Sequence, residues 1–139
     1  MVTTHRDPVP VTLSMLVMLC YSARMHRSPV NTAEIVDYWV DRLDRMLQSL
    51  VRDRDAVPAE RSIDVRFDEF MADDLAVTEK VYEVAGEPMT DEARAAMADY
   101  LDGHRRGRLG TVRTNPEMFG LDEAELRARF APYVARFLS

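Results

Sequence analysis

Glycine is scarce in this chain, with five in 139 residues. None stands in the strand-to-helix, Gly-rich loop that cradles a nucleotide's phosphates. The single cysteine, Cys20, excludes an internal disulfide and any zinc site built from several cysteines. A reducing, cytoplasmic setting is the resulting expectation. Lysine is nearly absent as well. Lys80 stands alone, and the other 17 basic residues are arginine. A GC-rich genome accounts for such a bias in most chains, but any anion site here must still be built from arginine. Basic balance is also missing: the net charge is −6 and the pI about 5.0, which argues against a nucleic-acid partner. The longest apolar stretch, Leu13 to Cys20, is interrupted by Ser14, so no membrane span is expected. The first residues, with His5, Arg6 and Asp7, do not resemble a secretion signal.

What remains is enough for one domain of 15.9 kDa, with 47% hydrophobic residues. Val2-Thr3-Thr4 is a β-like stub. Pro8 and Pro10 suit the first turn of a helix running to about His26, where a missing N–H costs nothing. Leu13 to Cys20 make that helix apolar on nearly every side, which predicts burial against more than one neighbour. Asn31 and Glu34 form a capping box. The helix after it should point Ile35, Tyr38, Trp39, Leu43, Met46, Leu47 and Leu50 inward, with its Asp and Arg residues in water. Ser62 to Phe67 alternates polar and apolar residues, which predicts a half-buried strand. Helices follow over 73–85, 91–101 and after Asp122, with Gly86 and Gly103 as stops.

Two arginine sites carry the chemistry. Arg6 lies just past the first strand, before the Asp7-Pro8 turn, with Ser14 eight residues later. In α/β proteins ligands bind at the carboxyl ends of strands, where a helix N-terminus offers N–H groups to an anion. Arg adds a planar donor fork suited to phosphate. The second site is Arg105-Arg106-Gly107-Arg108-Leu109-Gly110, a basic loop whose glycines allow close backbone approach. Neither site is specific alone, since most arginine-rich loops are simply solvated.

Taken together and in this order, they resemble the carboxyl-terminal half of a sulfotransferase that uses 3′-phosphoadenosine 5′-phosphosulfate. In that family an Arg, with a Ser eight residues on, holds the donor's 3′-phosphate, as Arg6 and Ser14 would here. A late loop of the form Arg, Arg or Lys, Gly, two residues, Gly contacts the same phosphate, which matches Arg105, Arg106, Gly107 and Gly110. Val65-Arg66-Phe67-Asp68-Glu69-Phe70, with Asp73, follows the family's plan of a strand ending in an aromatic residue that meets adenine. Tyr is frequent at that position; Phe67 can pack on a base but cannot hydrogen-bond to it. Val65 to Met89 and Met118 to Phe137 read most like bacterial members.

The resemblance implies an α/β fold: the carboxyl-terminal portion of a P-loop-like sulfotransferase fold, mostly helical with two short parallel strands. Residues 1–139 would form a single partial domain. It implies a nucleotide donor, a small-molecule acceptor with a hydroxyl or amine, and no metal. The family's phosphate loop and general base find no counterpart in these residues. His5, His26 and His104 are better read as structural or solvated than as the base, so no catalytic residue is assigned. The chain is therefore expected to lack the amino-terminal half and to be inactive alone. Its exposed sheet edge should favour association with a partner. The alternative is a non-enzymatic, mostly helical interaction protein in which the arginine sites are accidental.

Overall fold

A computed structural model of the chain describes residues 1–104 and 114–139. The described residues divide into two compact units, and the chain passes between them at Arg6–Asp7 and at Arg54–Asp55. Each strand and helix expected from the sequence forms, and one short α-helix and three 3₁₀ turns appear that the pattern did not reveal.

The first unit comprises described residues 1–6 and 55–104. Strand β1 (Val2–His5) pairs in parallel with β2 (Ile63–Arg66), in a register that sets Thr4 opposite Val65 and His5 opposite Arg66. The expected pair of short parallel strands is thus present. Among the described residues no third strand joins them, so each strand has an open edge. His5 is fully buried and its Nε2 lies 2.9 Å from Asp64 Oδ1, a bond that ties the two strands together. That makes His5 a structural residue, as the sequence suggested.

Strand β2 leads directly into α3 (Phe67–Ala72), the unforeseen helix. Asp73 ends it and at once caps α4 (Asp74–Ala85), its carboxylate accepting from Ala76 N–H at 2.9 Å. Gly86 closes α4 at φ +76°, a left-handed position that favours glycine. Thr90 caps α5 (Asp91–Gly103), which runs through Gly103 instead of stopping at Leu101. Arg94 on α5 forms an ion pair with Glu79 on α4.

The second unit comprises described residues 7–54 and 114–139. Here α1 (Pro8–His26), α2 (Thr32–Asp53) and α6 (Glu123–Phe137) pack on one another. Their core is Val9, Leu13, Leu16, Val36, Val40, Leu126 and Phe130. By length and composition α1 is apolar enough to cross a membrane, with a mean hydropathy of 1.3. No unbroken apolar run of that length occurs in the sequence, and the helical window reaches it only by taking in Ser14 and other polar residues. In the fold α1 is a core helix along one face only. It meets two neighbours, α2 and α6, as expected, while Val11, Met18, Tyr21 and Met25 remain exposed on its other side.

The inward face of α2 also differs from the sequence reading. Ile35, Val36, Val40 and Asp44 are buried, whereas Tyr38, Trp39 and Met46 are exposed. Periodicity admits several apolar stripes on such a helix, and contact with α1 and α6 selects one. Asp44 is the charged exception to the expectation that this helix keeps its acids in water. Its carboxylate accepts from Arg129 Nε of α6 at 2.7 Å and from Gln48 Nε2 at 2.9 Å. Pairing lets a charge enter the core edge, and removing one partner leaves the other stranded. Arg129 is 40% exposed, so solvent screens the loss. Asp44→Ala should cost about 1–3 kcal/mol of stability. A double-mutant cycle with Arg129→Ala, read by urea unfolding, would show coupling near zero if the pair were only decorative.

Candidate anion site at the strand ends

Parallel pairing sets the carboxyl ends of β1 and β2 side by side. Arg6 is the first residue past β1 and Phe67 the first past β2. Because His5 pairs with Arg66, Arg6 and Phe67 emerge as neighbours. The Arg6 guanidinium carbon lies over the Phe67 ring, 4.1 Å from its centroid. A cation on an aromatic face is held with about 0.5–1 kcal/mol at an exposed site. Phe67 is 37% exposed. The fold thus joins two of the residues chosen from the sequence.

The distribution of charge favours Arg6 as an anion ligand. Among the described residues no carboxylate pairs with it. Its neighbour Arg66 behaves differently. Arg66 Nε and Nη2 donate to Asp68 Oδ1 and Oδ2 at 3.2 and 3.0 Å. That bond raises the Arg66 guanidinium above its ordinary value and holds the Asp68 carboxyl below the usual carboxylate range. Arg66 is therefore neutralised locally. Arg6 keeps its fork for an incoming anion while the Phe67 ring steadies its stem.

The start of α1 departs from expectation. Pro8 and Pro10 supply no N–H, and Val9 N–H donates to Asp7 Oδ1 at 3.0 Å. Asp7 also receives Arg127 Nη1 at 3.4 Å. The donors of the first turn are thus largely engaged or missing, and a carboxylate already occupies its positive end. It is a poor anion cradle. Any phosphate bound here must rely on side chains.

Ser14 is exposed on α1 in the second unit. Since α1 begins at Pro8, Ser14 lies about 9 Å along the helix from its first residue. That is nearer two turns than one, away from the first-turn N–H groups. Arg105, Arg106 and Gly107 lie outside the described residues. His104 ends α5 with its Nδ1 2.8 Å from the Tyr100 carbonyl oxygen. Sequence reasoning missed α3, whose only local signal was Asp68-Glu69 in its first turn. It also missed the neutralisation of Arg66 by Asp68.

Phe67→Ala would remove the platform under Arg6. The expected result is a two- to fivefold weaker affinity for inorganic phosphate, about 0.5–1 kcal/mol. Titration calorimetry would refute that role if affinity were unchanged.

Comparison with known proteins bears on the family and the fold. Residues 1–91 match the model of the sulfotransferase family. The fold is similar to the crystal structure of sulfotransferase STF9 from Mycobacterium avium, with a TM-score of 0.82 and 25% sequence identity. The match covers 96% of this chain and 34% of that one, so the chain spans about a third of that protein's length. No curated protein matches the chain.

Proposed function

Because the chain belongs to the sulfotransferase family, we propose that it supplies the part of such an enzyme that holds the donor's 3′-phosphate. The donor is 3′-phosphoadenosine 5′-phosphosulfate, and the sulfuryl group passes to a hydroxyl or amine. Arg6 gives the phosphate a bidentate, charge-assisted contact. Ser14 adds a hydroxyl donor, and the loop of Arg105, Arg106 and Gly107 adds further charge and close backbone approach. Phe67 packs on adenine with the face that Arg6 leaves open. The observation that carries this reading is Arg6 itself, stacked on Phe67 at the strand ends with no carboxylate partner among the described residues.

Sulfuryl transfer breaks the bond between sulfur and the bridging phosphate oxygen and forms one between sulfur and the acceptor. The acceptor's proton must leave to a base, and the three groups must be held in line. The residues assigned above anchor one end of the donor and supply no base. The 139 residues by themselves are therefore proposed to bind nucleotide without turning it over. Both units belong to one partial domain in this reading, supported by a structural match covering 96% of the chain. A cytoplasmic setting is supported by the single, free Cys20.

The test is calorimetric titration of the chain with adenosine 3′,5′-bisphosphate and, separately, with adenosine 5′-phosphate. A site for the 3′-phosphate must prefer the bisphosphate. Equal affinity for the two nucleotides, or no heat from either, would sink the reading.

A further inference from the structure

Helix α1 is more apolar than its packing in the second unit requires. Only 33% of its most apolar stretch is buried. The uncovered residues form a pattern. Val11, Ser14, Met18, Tyr21 and Met25 are all exposed, and they follow one another at alternating steps of three and four. That is the spacing of a seam that faces a second helix. A lone exposed apolar residue needs no partner, whereas a contiguous line of large ones marks an interaction surface.

The seam complements itself. When two copies of α1 run antiparallel, the two alternating positions of the repeat face each other. Met18 then meets Tyr21 of the second copy, twice by symmetry, in a sulfur–aromatic contact. Ser14 meets Met25 of the second copy, a small side chain against a long one. Charge selects the same orientation. α1 carries no acidic residue, and its basic residues Arg24 and His26 lie in the last turn, followed by Arg27. Parallel copies would crowd these groups together. Antiparallel copies hold them more than about 13 Å apart along the axis, beyond a Debye length in physiological salt. The exposed fractions of Val11, Met18, Tyr21 and Met25, 39–67%, correspond to roughly 500 Å² per copy, so pairing buries on the order of 1,000 Å² in total. That is the low end of specific interfaces and suits a reversible dimer.

We propose that α1 is a homodimer seam, in which two copies of the chain pair antiparallel through Val11, Ser14, Met18, Tyr21 and Met25. Pairing covers Ser14. On the nucleotide reading the dimer and the 3′-phosphate therefore compete for that hydroxyl; the pairing itself does not rest on that reading. A lipid surface fits the seam less well, since the net charge is −6 and the basic residues of α1 stand at one end only.

The experiment is sedimentation equilibrium of the whole chain. The mean mass should rise with concentration from 15.9 kDa toward twice that value, with a dissociation constant on the order of 10 μM. Met18→Glu puts a charge into both central layers and should weaken pairing at least about tenfold. Its circular dichroism spectrum should not change, because Met18 is exposed. Tyr38→Glu, on an exposed position of α2, should leave pairing intact. Under mild oxidation a copy carrying Ser14→Cys should cross-link to one carrying Met25→Cys, and neither to its own kind. A mass that stays monomeric up to about 1 mM, equal pairing in Met18→Glu, or cross-links only between identical variants each overturns the proposal. So does a monomer that sediments with phosphatidylglycerol vesicles and loses them on Met18→Glu. Adenosine 3′,5′-bisphosphate separates the two readings. If it binds a chain that never pairs, the seam fails and the nucleotide reading stands. A dimer weakened by saturating bisphosphate supports both. A dimer indifferent to bound bisphosphate keeps the seam and removes Ser14 from the nucleotide site.

Discussion

Arg6→Ala should lower affinity for adenosine 3′,5′-bisphosphate roughly thirtyfold, about 2 kcal/mol, while leaving affinity for adenosine 5′-phosphate nearly unchanged. The magnitude follows from hydrogen bonds to a charged group, worth about 1.5–3 kcal/mol. The upper part of that range is not expected, since Arg6 is exposed and water competes for the anion. Selectivity between the two nucleotides is the decisive readout. A side chain that merely supported the fold would weaken both ligands equally. Arg6→Lys should recover less than half of the loss, because a point charge replaces the planar fork. Folding should survive both changes. Each removes only a stack on a ring that is itself 37% exposed, worth about 0.5–1 kcal/mol. Arg105→Ala should act in the same direction. Bisphosphate affinity unchanged in Arg6→Ala would remove the central residue from the proposal.

Phe130→Ala should cost about 3–5 kcal/mol of stability, the largest single effect expected in the second unit. Phe130 is 1% exposed and joins Leu16, at 0%, in the core of α1, α2 and α6. Truncation removes apolar surface from a dry interior and leaves a void, because helices packed on three sides relax only partly. Marginal stability makes such a loss visible: most domains have only about 5–15 kcal/mol in reserve. Urea unfolding followed by circular dichroism measures it. Tyr38→Ala is the matching control. The sequence pattern placed Tyr38 inward, but it is 53% exposed, so its truncation should cost within about 1 kcal/mol. Similar losses at the two positions would mean that the packed face of α2 is wrongly assigned.

Most helix starts were legible because their physics is local. Asn31, Thr90 and Asp122 each accept a backbone N–H two or three residues ahead, and such bonds need no distant partner. The anion site was legible only as residue types at set spacings. Arg6, Ser14 and Phe67 could be chosen from the sequence, but nothing in their order foretold a guanidinium lying on an aromatic ring. Likewise, Asp7-Pro8 read as a turn leading to a free helix N-terminus. The structure shows Asp7 filling that position and two prolines withholding donors.

By itself the sequence determined most helix starts, two short strands, that any anion site must be built from arginine, and a resemblance later matched by the sulfotransferase family. Those depend on neighbours along the chain or on residue types at set spacings. Tertiary structure alone decided which stripe of α2 is buried, how Asp44 is paired, and which side of α1 is left exposed. It also decided that Arg6 meets Phe67. The strand ends make that choice, since hydrogen bonds between β1 and β2 bring together residues far apart in the chain, and local pattern carries no record of such pairing. Arg6 could be chosen as a candidate phosphate ligand from its neighbours in sequence; the ring that steadies it arrives from the end of another strand.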